Sequence, residues 1–428
     1  MKTSMYNYVV KDGPRYILYN TATERMLVMS MKVFDVFNTH QDKPENIKNI
    51  HPKLYESLVA DGFVVDDAAD EPLSVISKWD ELDKRTTTYS ITINPTLLCN
   101  MDCWYCYESK TAKGYMPAEI QERVKKLIMR IASDEQYKAI NLSFFGGEPL
   151  LAFNTTVKGL VTFTQEQCKA NGKTIGLHFT TNGYLLTKDI LEFLSNFNVS
   201  FQIPLDGNET VHNSIKITKD GKPTYQKTID NIKMALDYGC SVGVRLNFTT
   251  ETLPYFLDVL SDFKDLNEEK KKLINFNFQR VWQDNSTPDV ELNVSEREDH
   301  FSNLGFAVSP YTSNPFLHCI MDSPHSIAVN YDGRVFKCTG RDFTEQNSDG
   351  VITENGTIQW NEHHILRENA RSGNAVCRKC NLYPLCHGGC GQFKMESGNI
   401  STECPKGYNK QQREQMIYNR IKELSTYF

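Results

Sequence analysis

The stretch that decides the fold runs from Tyr89 to Cys106 and reads YSITINPTLLCNMDCWYC. Its first eight residues are rich in β-branched and aromatic side chains and predict a strand. Three cysteines follow this strand at positions 99, 103 and 106. Thiolates are the ligands of iron–sulfur clusters, and a four-iron cluster has four sites to fill. Three closely spaced cysteines therefore predict a four-iron cluster with one open iron, which can bind a substrate or a cofactor.

The region around this stretch alternates short β-rich runs with longer helical patterns, from about residue 88 to 305. Such alternation predicts a parallel sheet, either open or curved into part of a barrel. Functional residues are then expected at the carboxyl ends of the strands, where the loops converge. The six strands are predicted at 89–96, 140–146, 174–181, 199–206, 241–249 and 273–281, with helices between them, for example at 118–131, 188–196 and 227–238.

Composition narrows the class of protein. A chain of 428 residues predicts two or three domains. Its formal net charge of −6 argues against a nucleic-acid-binding protein. We find no apolar stretch of signal-peptide or membrane-span length, so we expect a soluble cytoplasmic protein. In the reducing cytosol, the 12 cysteines favour metal or cluster ligation over disulfides.

The two ends of the chain differ from the alternating region. YNYVVKDG and RYILYN, at 6–13 and 15–20, predict a hairpin, and GFVV at 62–65 predicts a returning strand. Helical patterns at 31–38 and 52–61 lie between them, and a polar stretch with a charged helix near 78–84 serves as a connector. After residue 310 the elements are short and seven cysteines occur, so we expect bound metal to organise this segment.

The Cys-x3-Cys-x2-Cys run of Cys99, Cys103 and Cys106, with Tyr105 before its last cysteine, resembles the signature of the radical S-adenosylmethionine (radical SAM) superfamily. The resemblance implies that the open iron chelates the amino and carboxylate groups of S-adenosylmethionine. One electron then cleaves this cofactor to a 5′-deoxyadenosyl radical. Read without the resemblance, the three cysteines would also suit a zinc site.

Further motifs at predicted strand ends strengthen the resemblance. Gly146-Gly147-Glu148-Pro149 resembles the GGEP element, which implies contact with the methionine amino group. Glycines allow close approach of the backbone to a ligand, and a glutamate offers a carboxylate to an ammonium. The resemblance also implies a role in cofactor binding for Asn182, Asp206, Arg245 and Asn247, and Tyr105 belongs to the same set.

The cysteines after residue 310 resemble the SPASM extension of radical SAM peptide and protein maturases, including the glycine, Gly333, five residues before Cys338. This implies two auxiliary four-iron clusters, which makes three [4Fe-4S] clusters in all. The first has an unfilled position, for which His325, Asp322, a substrate thiolate or water are alternatives, and a zinc ribbon is an alternative for the whole segment. The implied ligands are Cys319, Cys338 and Cys390 for the first cluster, and Cys377, Cys380, Cys386 and Cys404 for the second. The two remaining cysteines, Cys168 and Cys240, are interpreted as small core residues.

The layout of the N-terminal segment resembles the winged-helix domain that binds leader peptides in ribosomal-peptide maturation, by adding the peptide as a strand to a sheet edge. We therefore expect a winged-helix-like α+β domain at 1–82, a partial (β/α)6 TIM-like barrel at 83–310 and a loop-rich SPASM domain at 311–428.

The expected function is modification of a precursor peptide with a leader segment, by a cross-link such as a thioether or a carbon–carbon bond, with flavodoxin or ferredoxin as electron donor. One alternative is a maturase of the anaerobic sulfatase type. In those relatives a catalytic aspartate follows the glycine-associated cysteine, whereas Thr339 stands there in this chain, with Asp342 nearby. Another alternative is a non-catalytic iron–sulfur or zinc protein.

Overall fold

The computed structural model describes residues 1–108, 114–284, 290–309, 319–371, 375–396 and 404–425. The chain divides into two compact units. The smaller unit comprises Met1–Arg85, Asn314–Asp322 and Ile365–Phe428, and the larger unit comprises Thr86–Ser313 and Ser323–His364. The three domain ranges predicted from the sequence stay a prediction.

The N-terminal part of the smaller unit combines a three-stranded meander with short helices. Strands β2, β3 and β4 form the antiparallel meander, and β1 pairs with β5. The elements are β1 (Lys2–Thr3), β2 (Asn7–Asp12), β3 (Arg15–Asn20), β4 (Arg25–Ser30), α1 (Met31–His40), α2 (Glu45–Ile50), α3 (Pro52–Ala60), β5 (Val64–Val65) and α4 (Glu71–Lys84).

The predicted hairpin and the returning strand are confirmed. Asp12 pairs with Arg15 across a two-residue loop, and Gly13 has a φ of 56°, as the first loop residue of a type II′ turn requires. Strand β4 is not predicted from the sequence, because its two methionines do not give a clear two-residue alternation. Helix α2, which has only six residues, is not predicted either.

The larger unit alternates strands and helices, as predicted. Its elements are β6 (Thr88–Ile93), α5 (Ala118–Ser133), β7 (Ala139–Phe144), α6 (Lys158–Ala170), β8 (Thr174–Thr180), α7 (Lys188–Leu194), β9 (Asn198–Leu205), α8 (Glu209–Ile215), α9 (Tyr225–Asp237), β10 (Ser241–Phe248), α10 (Phe256–Phe263), α11 (Glu268–Lys271), β11 (Ile274–Arg280), α12 (Val290–Asn303), β12 (Ala307–Ser309), β13 (Ser326–Val329), β14 (Arg334–Phe336), β15 (Gly350–Ile352) and β16 (Ile358–Trp360).

One sheet runs through the larger unit in the order β12-β11-β10-β9-β8-β7-β6-β13-β14-β15-β16. The strands from β12 to β13 are all parallel, and the last three are antiparallel. The six predicted strands are therefore confirmed as neighbours in a parallel sheet. Their curvature into a partial barrel stays a prediction. The sequence analysis did not foresee that β13, which follows residue 310, would pair with β6.

The chain ends in helices that, from Ile365 onward, belong to the smaller unit. Helix α13 (Glu362–Arg371) leads into α14 (Tyr383–Cys386), α15 (Gly391–Glu396) and α16 (Lys410–Ser425). None of the helices among the described residues is both long enough and apolar enough to cross a membrane.

Strand β3 is buried on both faces. Leu18 packs into a core with Phe37, Leu58 and other side chains of the N-terminal segment. The next residue, Tyr19, packs against Leu382, Leu385, Ile417 and Ile421 of the C-terminal segment. Neighbouring residues of a strand point to opposite faces, so one strand joins both ends of the chain in a single unit.

We predict that Gly356→Ala destabilises the larger unit more than Gly172→Ala does. Both glycines have positive φ, 71° and 65°, so alanine costs about 1 kcal/mol of backbone strain at either position. Only at Gly356 would the new Cβ also lie 2.5 Å from a backbone atom, the nitrogen of Leu127, whereas nothing lies within 4 Å at Gly172. Overpacking of this kind adds about 1–3 kcal/mol. Urea unfolding of both variants checks the difference, and equal losses would contradict the packing argument.

Candidate functional site

The three cysteines of the opening stretch lie in the loop after β6, as predicted. Cys99 and Cys103 are half-buried and Cys106 is exposed. The Cys99 sulfur accepts the backbone N–H of Met101 at 3.5 Å. Burial and the nearby Glu148 carboxylate raise the pKa of Cys99 to about 12. A thiolate at this position therefore needs a cation beside it, and a cluster iron would supply one.

The Gly146-Gly147 turn after β7 carries this cysteine loop. The N–H of Gly147 donates to the Thr96 carbonyl at 3.2 Å, and the N–H of Glu148 donates to the Leu98 carbonyl at 2.8 Å. A Cβ at Gly146 would lie 2.5 Å from the Thr96 oxygen, and one at Gly147 would lie 2.5 Å from the Leu97 oxygen. Only glycine permits this close approach. The two glycines therefore let the turn hold in place the backbone that leads to Cys99.

Glu148 joins the ends of β7 and β8. Its side chain is fully buried. One carboxylate oxygen accepts the Thr181 hydroxyl at 2.7 Å and the N–H of Leu150 at 3.0 Å, and the other accepts the N–H of Asn182 at 2.8 Å. Burial outweighs these hydrogen bonds and raises the pKa of Glu148 to about 7. Asn182 in turn donates to the side-chain oxygen of Asn100 at 2.7 Å, inside the cysteine loop.

Tyr105 is the centre of a polar cluster in the same loop. Its hydroxyl donates to Asp206 at 2.6 Å and accepts from Asn247 at 3.2 Å. Asn247 also accepts from Arg245 at 2.9 Å, since these two residues lie on the same face of β10. The structure thus brings together four predicted site residues from the cysteine loop, the end of β9 and β10. Pro149, which begins a short 3₁₀ turn after Glu148, completes the predicted set.

Lys216 belongs to this cluster, although the sequence analysis missed it. Its ammonium donates to the Tyr105 hydroxyl at 2.5 Å and to the Cys103 sulfur at 3.6 Å, and lies 3.3 Å from Asp206. The side chain is 4% exposed. Burial acts to lower its pKa, but Asp206, Tyr105 and Cys103 together raise the pKa of Lys216 well above its usual value. The only signal in the sequence is a lysine between two isoleucines just after a helix, which is too weak to identify a site.

The second auxiliary cysteine set surrounds one cavity in the smaller unit. The lining of this cavity includes Cys377, Cys380, Cys386 and Cys404. Four thiols around one space fit a four-iron cluster, in which each thiolate binds a separate iron. In the described part of the chain, no three Cys, His, Asp or Glu side chains converge closely enough to hold a single metal ion. The fit to a cluster therefore rests on the cavity.

The residues assigned to the first auxiliary cluster belong to both units. Cys319, Cys390 and Asp322 lie in the smaller unit, and Cys338 and His325 lie in the larger one. Asp322 accepts the N–H of Gly391, next to Cys390, at 3.4 Å. One ring nitrogen of His325 shares a hydrogen bond of 2.8 Å with Tyr137. This ligand set stays a prediction.

Comparison with known proteins gives the family of the core. Residues 93–263 match the profile of the Radical SAM superfamily. Among curated proteins, the radical SAM cyclopropyl synthase TigE of Paramaledivibacter caminithermalis is 24% identical over 334 residues, which cover 71% of this chain and 68% of TigE. A cysteine-type anaerobic sulfatase-maturating enzyme of Clostridium novyi is 21% identical, over 69% of this chain and 86% of that protein.

Two solved structures share the fold. Native anSMEcpe with bound AdoMet and Kp18Cys peptide has a TM-score of 0.60 and 20% identity, and covers 80% of this chain and 100% of its own. Streptococcus suis SuiB bound to precursor peptide SuiA has a TM-score of 0.50 and 14% identity, over 92% of this chain and 96% of its own.

We predict strong coupling between Lys216 and Asp206. Lys216→Met leaves the buried Asp206 carboxylate without its cation, which costs about 3–5 kcal/mol. In Lys216→Met/Asp206→Asn neither charge is left unpaired in the interior. The free energy of unfolding of this double variant therefore falls by at least about 1 kcal/mol less than the sum of the falls in the two single variants. Urea unfolding of the four proteins measures this. Lys222→Met, which breaks an exposed pair with Asp220, is the control and loses under about 1 kcal/mol. Additive losses at Lys216 and Asp206 would contradict the coupling.

Proposed function

Because residues 93–263 of this chain form a radical SAM domain, we propose that the protein is a peptide maturase, which modifies a ribosomally made precursor peptide. The observation that carries the proposal is the cysteine loop held by the Gly146-Gly147 turn, together with a separate cavity lined by four cysteines. A radical source needs a cysteine loop of this kind, and the four-cysteine cavity suits a further cluster. The similar fold of SuiB, whose solved structure includes its precursor peptide SuiA, supports the choice of a peptide substrate.

In this proposal Cys99, Cys103 and Cys106 hold the cluster, which supplies the electron that cleaves bound S-adenosylmethionine to a hydrogen-abstracting 5′-deoxyadenosyl radical. Glu148 accepts the ammonium of the cofactor through the one lone pair that Thr181, Leu150 and Asn182 leave free. The Tyr105 cluster, with Asp206, Asn247, Arg245 and Lys216, borders the same loop and orients the rest of the cofactor.

The cysteine sets given above would hold two auxiliary clusters. When bound, these would supply an acceptor for the surplus electron of a cross-linked or unsaturated product, or a site for a substrate thiolate. Flavodoxin or ferredoxin supplies the electron for cofactor cleavage. Thioether, carbon–carbon, ether and epimerised products are all compatible with this scheme. Mass spectrometry of the peptide separates a loss of two hydrogens, as in cross-linking, from an unchanged mass, as in epimerisation.

We assign leader-peptide binding to the free edge of β4. Among the described residues β4 pairs only with β3, so its outer edge offers unpaired backbone groups for an added strand. Val28 on this strand is 55% exposed, which is high for an apolar side chain in a sheet. The opposite edge, β2, ends in Lys11 and Asp12, and charged residues of this kind protect an edge from pairing.

A second candidate is a protein maturase of the anaerobic sulfatase type, favoured by the similarity to the Clostridium novyi enzyme. In this chain Thr339 stands where those relatives have the catalytic aspartate, and its carbonyl accepts the Tyr107 hydroxyl at 2.5 Å. Incubation with a sulfatase peptide decides this, since formation of formylglycine would replace the precursor-peptide proposal. The remaining alternative is a non-catalytic iron–sulfur or zinc protein.

We predict that the anaerobically reconstituted protein releases 5′-deoxyadenosine from S-adenosylmethionine when dithionite is present. It should contain about 12 irons per chain, for three four-iron clusters. A Cys106→Ala control should lose the product and keep about 8 irons, since only one of the three clusters is affected. Liquid chromatography and iron analysis measure both quantities. Zinc in place of iron, or no 5′-deoxyadenosine, would refute the enzymatic proposal.

We predict that Val28→Pro weakens leader-peptide binding at least tenfold, because proline removes a backbone donor and distorts the β4 edge. Val9→Pro, the same substitution on the β2 edge, is the matched control and should bind within about twofold of the unsubstituted chain. Fluorescence anisotropy with the peptide encoded in the adjacent small open reading frame measures the affinity, and circular dichroism verifies folding. Equal losses in the two variants would contradict the assignment to β4.

A further inference from the structure

Lys394 is a buried lysine that the proposed chemistry does not use. It lies on α15, four residues after Cys390, and its backbone N–H donates to the Cys390 carbonyl at 3.1 Å. The residue is 2% exposed. Its ammonium donates to the carbonyl of Ala370 at 3.2 Å. A lysine so far from water requires negative charge around it, because burying an ammonium is costly.

The negative charge available to Lys394 comes from cysteines and from Asp322. The Lys394 ammonium and the Cys377 sulfur both lie close to Gly388. A Cβ built on this glycine would be 3.1 Å from the ammonium and 3.4 Å from the sulfur. Burial lowers the pKa of Lys394, and the Cys377, Cys386 and Cys390 thiolates and Asp322 oppose that effect. Cys377 and Cys386 line the four-cysteine cavity. Lys394 is therefore a buried cation next to this cavity.

A cluster with four thiolates is an anion, and reduction adds one more negative charge without adding a proton. A cation fixed beside it in a medium of low polarity stabilises the reduced form more than the oxidised form. Net charge around a cluster is one of the factors that set its reduction potential.

We propose that Lys394 raises the reduction potential of the auxiliary cluster held by Cys377, Cys380, Cys386 and Cys404. The inference rests on the proposed function, since it requires that cluster. Its consequence is that the cluster accepts an electron more readily, as the oxidation of a substrate radical demands. Lys406 and Arg413, which line the cavity itself, are half-exposed, so water screens their charges and weakens their effect.

The test is an electron paramagnetic resonance redox titration of the full chain in a Cys99→Ala/Cys103→Ala/Cys106→Ala background, where only auxiliary clusters give a signal. Adding Lys394→Met should lower the equilibrium constant for one-electron reduction about tenfold, which corresponds to about 59 mV for one electron. Lys394→Arg keeps the charge and should titrate near the unsubstituted potential. Lys406→Met is the matched control and should shift the potential less than Lys394→Met.

The outcomes separate the inference from the proposed function. An unchanged potential in Lys394→Met, or an equal shift in Lys394→Arg, would overturn the role of Lys394 while leaving the cluster assignment intact. Absence of any auxiliary signal in the background chain would refute the cluster assignment and this inference together. If Lys394→Met fails to load iron, Lys394→Gln replaces it, and a potential equal to that of Lys394→Arg would overturn the inference.

Discussion

The contact between the Gly146-Gly147 turn and the backbone of residues 96–98 is the constraint on which the larger unit's site depends. Without side chains, the two glycines let the end of β7 touch the chain that leaves β6. Glu148 then reaches Thr181 and Asn182 at the end of β8, and Asn182 reaches back to Asn100. Three strand ends are thus tied to one cysteine loop by the protein's own hydrogen bonds, which fix much of the shape of the site.

The charged side chains of this site include a buried ion pair. Asp206 and Lys216 are both almost completely removed from water, and Tyr105 bridges them. Such a pair adds little to stability, because each ion loses its hydration. The pair instead fixes positions, because it leaves one favourable orientation for the Tyr105 hydroxyl and one for the Lys216 ammonium next to Cys103. Lys394 in the smaller unit is the corresponding buried cation beside a cysteine-lined cavity.

Strands that recur along the chain and motifs with a fixed residue spacing can be predicted from the sequence. The six strands can be placed to within a few residues, because their β-branched and aromatic side chains alternate with polar ones, a pattern typical of strands with one fully buried face. The cysteine loop and the strand-end motifs were found because their residue types have few other uses. Lys216 was missed because its importance comes from burial, which depends on the tertiary fold. The pairing of β13 with β6 was missed because no local pattern encodes a partner that is distant along the chain.

That pairing has a consequence for the order of folding. Asn94, just past β6, and Asn330, just past β13, are hydrogen-bonded at 3.4 Å although they are 236 positions apart in the chain. During synthesis β6 has β7 on one side, but its other edge stays open until residues 326–329 have left the ribosome. The strand that leads into Cys99 is therefore the last of the six predicted strands to gain its second neighbour. A nascent chain at this stage has an exposed β-edge beside three free thiols, so we expect chaperone and cluster-delivery factors to meet it in this form.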